Sequence, residues 1–283
     1  MEGLRPAAVA GAWYPSIPGA LAREIDRYVA DADVDPVPSH IRALVAPHAG
    51  LMYSGPVAAF AYKLVRDSTY AAVVLVGPSH FVGFEGASIW PSGAWGTPFG
   101  DVRVDAALAA AIARESRLVA EHPAAHGREH SLEMQLPFVA HLMPGVPIVP
   151  LVMGYQTRAT AEAIGDGMAR AIAARAVTQT GEERPGGVLL VASSDLSHFE
   201  EASVASRMDA VILDRVNAFD PDGLMDTLER EPRHACGGGP MVAVLRAARQ
   251  LGARHARVLD YGDSGDVSGD KSSVVGYMAA AIW

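Results

Sequence analysis

Ala71-Ala72-Val73-Val74-Leu75-Val76-Gly77-Pro78-Ser79-His80 is the stretch on which the fold turns. Its apolar run has no polar alternation, so it reads as a strand covered on both faces. The run stops at a Gly-Pro-Ser turn that carries a histidine. Two more segments have this form. Ala43-Leu44-Val45-Ala46 leads to Pro47-His48, and Leu189-Leu190-Val191-Ala192 leads to Ser193-Ser194-Asp195-Leu196-Ser197-His198. Ligands of open α/β sheets bind outside the carboxyl ends of the strands. Right-handed crossovers place those ends on one edge. Groups far apart in sequence are therefore expected to converge.

Working outward, strands are expected at Ile41–Ala46, Ala71–Val76, Pro147–Val152, Val188–Ala192, Ala256–Asp260 and Ser273–Ala280. Helical periodicity fills the intervals at Ile17–Ala30, Pro56–Arg66, Ala106–Ser116, Glu129–Met143, Thr157–Ala174, Ser203–Asn217 and Met241–Leu251. Pro56 suits a first helical turn and Gly252 a C-terminal cap. This alternation predicts a three-layer α/β architecture, a mostly parallel central sheet flanked by helices, as a single domain over residues 1–283. Gly86–Asp105, rich in Gly, Pro and Trp, reads as a hairpin excursion, and Thr178–Gly187 as a polar surface loop.

Composition narrows the function classes. Half of the 283 residues are hydrophobic and 19% are charged, as in a chain that buries a sizeable core. The formal charge of -9, with no Lys/Arg cluster, argues against nucleic acid as a partner. The sole cysteine, Cys236, excludes an internal disulfide and suits a reducing compartment. The start MEGLRPAAVAGAWYP lacks a signal-peptide pattern and no apolar stretch is long enough to span a bilayer, so the expected location is the cytoplasm, away from membrane.

Two further segments carry chemistry. His126-Gly127-Arg128-Glu129-His130-Ser131-Leu132-Glu133-Met134-Gln135 is expected to enter a helix, with His130, Glu133 and Gln135 on its first turns, where a helix N-terminus favours anions. Its His126-x-x-Glu129-His130 spacing also fits an inverted zincin, although Pro123 and Gly127 oppose a continuous helix there. His130 is read as an acid/base group or a substrate contact. In Arg233-His234-Ala235-Cys236-Gly237-Gly238-Gly239-Pro240, a thiolate near a helix start is a soft metal ligand of lowered pKa. An inert buried cysteine, or a nucleophile served by a histidine and Asp195, remains an alternative. Dinucleotide and P-loop fingerprints are missing.

Taken in order, Gly11-Ala12-Trp13-Tyr14-Pro15, Pro47-His48-Ala49-Gly50-Leu51-Met52-Tyr53-Ser54-Gly55, Gly77-Pro78-Ser79-His80, Glu129-His130-Ser131-Leu132-Glu133, Ser193-Ser194-Asp195-Leu196-Ser197-His198, Ala235-Cys236-Gly237 and Ser272-Ser273-Val274-Val275-Gly276-Tyr277 resemble the MEMO family. Its prokaryotic members are called AmmeMemoRadiSam system protein B. The resemblance spans essentially the whole chain. It implies a fold similar to LigB-type class III extradiol dioxygenases. It implies a metal site at His48, His80 and Cys236, holding Fe(II) first, with copper or zinc as alternatives. Asp195, His198 and His130 are then expected as catalytic groups, and Trp13, Tyr53 and Glu133 as substrate contacts. Cys236 stands where the dioxygenases carry a carboxylate, which changes the softness and charge of the site. The glycine run after it predicts an open pocket floor, and Gln135 replaces a histidine common in animal relatives.

The function implied is that of a non-haem iron or copper dependent redox enzyme of unknown substrate. The alternative is a non-catalytic module that captures an anionic or phosphorylated peptide or small molecule in the same pocket, in line with the phosphopeptide and motility links of animal members. A radical SAM protein and AmmeMemoRadiSam system protein A are the partners the resemblance implies.

Overall fold

The structure, a computed structural model, describes residues 3–178 and 187–283; the loop expected at Thr178–Gly187 falls mainly on residues outside these. The strands are β1 (Leu4–Arg5), β2 (Ala43–Ala46), β3 (Ala72–Pro78), β4 (Ala87–Ile89), β5 (Ala94–Thr97), β6 (Gly100–Arg103), β7 (Val119–Ala120), β8 (Ile148–Met153), β9 (Val188–Ser193), β10 (His198–Glu200), β11 (Ala256–Asp263) and β12 (Val274–Ile282). The helices are α1 (Pro18–Asp31), α2 (Leu51–Lys63), α3 (Ala106–Glu115), α4 (Ala124–Gly127), α5 (Leu136–Leu142), α6 (Arg158–Thr178), α7 (Ala202–Asn217), α8 (Pro221–Arg230), α9 (Gly238–Gln250) and α10 (Gly265–Ser268). No described helix is long and apolar enough to cross a membrane.

The main sheet runs β10-β12-β2-β9-β3-β8-β4-β7, with β11 also on β12. Its centre, β2-β9-β3-β8, is parallel. Successive residues of these strands face opposite sides, so an unbroken apolar run feeds two cores at once. Val74, Val76, Val149 and Leu190 pack with α3, α6, α8 and α9. Val73, Leu75, Ile148 and Leu189 pack with α1, α2 and α5. That is a three-layer α/β arrangement. The runs at Ala256–Asp260 and Ser273–Ala280, whose apolar character suggested parallel strands, instead form the antiparallel pair β11–β12, which extends the sheet beyond β2. The excursion at Gly86–Asp105 contains the β5–β6 hairpin, joined by β1 into a small separate sheet.

Three helices depart from the sequence reading. The second begins at Leu51 rather than Pro56, because Leu51 N donates to Trp13 O and Ser54 Oγ to Ala49 O, so helix follows His48 almost at once. The helix expected over Glu129–Met143 is a turn, a short 3-10 stretch at Glu133–Gln135, and only then α5. Glu129 folds back to accept the N–H groups of His130 and Ser131, and Pro137 fits the first turn of a helix that opens at Leu136. The charge-rich α8 was not foreseen, although Asp220 caps it through Gly223 N at 2.9 Å and Pro221 opens it. Gly252 does end α9 as expected, in the left-handed region at φ +97°.

Candidate metal centre

Three parallel strands end side by side and each delivers a polar group two residues later: β2 gives His48, β3 gives His80 and β9 gives Asp195. Cys236 arrives from the α8–α9 connection, two residues ahead of α9, which packs across β9 and β3. Donor atoms of His48, His80 and Cys236 all lie within 4.8 Å of one another. His48 Nε2 is 3.2 Å from the sulfur.

The hydrogen bonds fix which ring nitrogen is free. Ser193 Oγ donates its single hydrogen to Ser131 O at 2.6 Å. It must therefore accept from Gln135 Nε2 at 2.7 Å and from His48 Nδ1 at 2.9 Å. Gln135 is itself held by Tyr62 OH, which donates to its Oε1, and by Pro47 O, which accepts from its Nε2. The network thus assigns the His48 proton to Nδ1 and aims the Nε2 lone pair at sulfur. For His80, Nδ1 donates to Glu129 Oε1 at 2.8 Å, and its backbone N–H to Glu129 Oε2 at 2.6 Å. Its Nε2 is left to act as a ligand, oriented by a carboxylate in the manner common to metal-binding histidines.

Charge follows burial. Burial pushes the His48 imidazole well below the ordinary range, helped by the neighbouring His80 and His130 rings, so it is neutral. Burial also pushes the Cys236 thiol up, and Asp195 adds to this. The lowered thiol expected at a helix start is thus not what this environment produces: the sulfur is desolvated and faces a carboxylate. A dication reverses the balance by displacing the thiol proton. Burial alone raises the Glu129 carboxyl, but the His80 hydrogen bond and backbone donors outweigh it and hold it at about 2. Two imidazoles held by their Nδ1 atoms and a displaceable thiol proton, with orienting groups already in place, fit a borderline or soft ion such as Fe(II), copper or zinc.

The other expected residues divide. His130 belongs to the cleft. Its ring stacks on His80 at 4.5 Å and lies 5.7 Å from His48 and 4.3 Å from Trp13. Burial lowers its pKa to about 4. His130 sits in a turn, not on a helix, so the helix-terminus argument for anions does not hold there. Trp13 is 38% exposed and, with Phe81, forms an aromatic ledge against His130. Asp195 Oδ1 accepts His48 N at 2.7 Å, and its own N–H donates to Cys236 Sγ at 3.3 Å. It ties the two ligand loops together rather than orienting an imidazole. His198 Nδ1 donates to Leu196 O, leaving Nε2 as an acceptor.

Glu133 is not a substrate contact. It is fully buried, ion-paired to Arg5 at 2.7 Å and saturated by Ala8 N, Val9 N and Tyr14 OH. Tyr53, in the first turn of α2, packs against the core beside Gly50. The glycine run after Cys236 serves close packing, although Gly238 and Gly239 also line a cavity beside Cys236. A Cβ on Gly237 would lie 2.4 Å from Ser193 O, and one on Gly238 2.6 Å from Leu228, so these glycines permit close packing. His126 is buried on Ser88 and Trp95, away from the zincin role its spacing suggested. Ser193 was missed as a site group, Glu129 was seen only in the zincin spacing, and Gln135 was named without its role in holding Ser193. The sequence signals for Glu129 and Ser193 were a Glu adjoining His130 and a serine closing a strand.

Fold and cleft together define a three-layer α/β protein with a two-histidine, one-cysteine centre at its sheet edge. The model of the Memo family, described as Memo-like protein, matches residues 5–281. A MEMO1 family protein of Methanothermobacter thermautotrophicus is 39% identical over 282 residues, covering 97% of this chain and 98% of its own. MEMO1 family proteins of Methanopyrus kandleri and Thermotoga maritima are each 35% identical, covering 97% and 99% of both chains respectively. The chain belongs to the Memo family.

Proposed function

We propose that the cleft is a metal-dependent redox centre, with His48 Nε2, His80 Nε2 and the Cys236 thiolate as its protein ligands and Fe(II) as its ion. The observation that carries this is the tautomer lock: the two non-ligating nitrogens are tied to Ser193 and Glu129, leaving both Nε2 lone pairs free for an ion beside the sulfur. When bound, such an ion supplies Lewis acidity, an open coordination position and one-electron chemistry. The remaining work falls to the chain. His130, neutral at working pH, takes a proton at the cleft wall. His198 Nε2 offers a second acceptor. Trp13 and Phe81 shield one side from water. A lone thiol of this kind suits the reducing cytoplasm.

Anaerobic purification followed by elemental analysis tests the reading. A stoichiometric ion is expected in wild type, with losses in His80→Ala and Cys236→Ala. Equal metal content in Cys236→Ala overturns it. Oxygen uptake by the Fe(II)-loaded protein with a panel of oxygen-reactive compounds, abolished in His48→Ala, separates an enzyme from a module that only captures an anionic ligand.

A further inference from the structure

Beside Cys236, between α8 and the β8–α6 connection, lies a cavity of about 540 Å³. Small-molecule sites commonly span roughly 300–1,000 Å³. One wall is apolar, made by Met225, Leu228, Pro232 and Ala235. The ionised lining groups are Arg158 and Glu229, and they pair with each other at 2.7 Å while Arg158 also holds Asp226. Each lining charge already has a partner, and one arginine shared by two carboxylates offers nothing to an anion. The lining amide is also engaged: Gln156 Nε2 donates to Cys236 O at 2.7 Å and its Oε1 accepts Gly239 N at 2.8 Å.

The opposite wall joins the cavity to the metal centre. Ser79 N donates to Met153 O, Gly154 N to Gly86 O and Tyr155 N to Phe84 O, so the end of β8 is zipped to the loop that carries His80. The Tyr155 ring lies against Gly83 in that loop, where an added Cβ would be 2.8 Å from its hydroxyl. Gln156, next along the chain, grips the backbone of Cys236. The segment Gly154–Gln156 therefore bridges two of the three ligand loops, and it forms the cavity wall.

We infer that this cavity is the chamber for an uncharged, mainly apolar ligand body whose polar end reaches the His48–His80–Cys236 centre. The inference rests on the metal-centre reading. An occupant pressing on Tyr155 and Gln156 touches the connection that sets both ligand loops, so filling the chamber is felt at the sulfur.

The neutral solvatochromic fluorophore 6-propionyl-2-dimethylaminonaphthalene, added to Co(II)-loaded full-length protein, tests it. Saturable blue-shifted emission is expected. Pro232→Trp and Glu229→Trp fill the cavity from exposed positions that touch neither ligand-loop connection. Each should weaken the fluorophore at least about tenfold while keeping the thiolate-to-cobalt absorption band. In wild type that band should shift as the fluorophore binds. Unsaturable emission, equal affinity in both variants, or a bound fluorophore that leaves the band unmoved overturns the inference. A wild type that binds the fluorophore but shows no thiolate band overturns the metal reading, and with it the link from chamber to centre, leaving a free-standing apolar site.

Discussion

Glu129 and Glu133 stand one helical turn apart in sequence, and both are buried. Glu129 turns toward the cleft and holds the ring and backbone of His80, together with the N–H groups of His130 and Ser131. Glu133 turns the other way and gathers Arg5, Ala8, Val9 and Tyr14. One carboxylate serves the donors of the centre. The other anchors the N-terminal segment that brings Trp13 onto His130. Residue type and burial do not separate them; the partners do. The 3-10 stretch between the cleft turn and α5 is what sends the two side chains in different directions.

The comparison can be broken at several points. Glu133→Gln should have the largest effect, because it leaves the Arg5 guanidinium buried without its counter-charge. A loss of about 3–5 kcal/mol is expected in urea unfolding. Co(II) affinity of the protein that remains folded should stay near wild type. A large fall in affinity would show that Glu133 also serves the centre.

Acid should act next on the cleft side of the comparison, through His130 and Glu129. His130 has its pKa lowered by burial to about 4, so it contributes full stability above its ordinary value of 6.5, and that contribution is lost as pH falls toward 4. Glu129 is held at about 2, so its contribution is full above 4.5 and is lost as pH falls from there toward 2. Each shift corresponds to about 3 kcal/mol over its window. Urea midpoints of metal-free protein should decline through both windows. Glu129→Gln should flatten the lower one, and His130→Asn should make the upper one shallower while His48 and His126 still titrate there.

Smaller effects bear on the ligands alone. Glu129→Gln should weaken zinc or Co(II) binding about 10–100-fold, read by chelator competition, since it loosens the orientation of His80. Ser193→Ala removes the acceptor for His48 Nδ1 and should weaken binding about tenfold, the low end of the same range. An unchanged affinity in Ser193→Ala would show that Gln135 or packing alone sets the His48 ring.

How much of this was legible in the sequence follows from the reach of each signal. His48 and His80 were readable because a buried strand and its terminal ligand are contiguous, and parallel order does the rest. Cys236 was readable as a lone soft donor beside a helix start, but its protonation was not, since that depends on tertiary burial and then on a carboxylate 41 residues away. Glu129 was seen only as part of a spacing pattern, because its partner His80 lies 49 residues back. The helix assigned to Glu129–Met143 failed because apolar periodicity continues through a segment whose backbone donors are taken by the Glu129 side chain. Glu133 was misplaced for a related reason: a polar residue inside a motif reads as functional until its buried arginine is located.

The lone hydroxyl hydrogen of Ser193 has a consequence for loading. Tyr62, Gln135, Ser193 and His48 form a row in which every donor direction is set by its neighbour, so His48 cannot exchange tautomers unless the whole row reverses. A ring locked in that way enters a coordination shell without shedding a hydrogen ion. Uptake of a dication at pH 8 should then discharge about one proton per ion, from sulfur. Titration calorimetry across buffers of differing ionisation enthalpy would count it, and a count near two would mean that a second group, such as a ligand ring held as imidazolium, also gives up a proton.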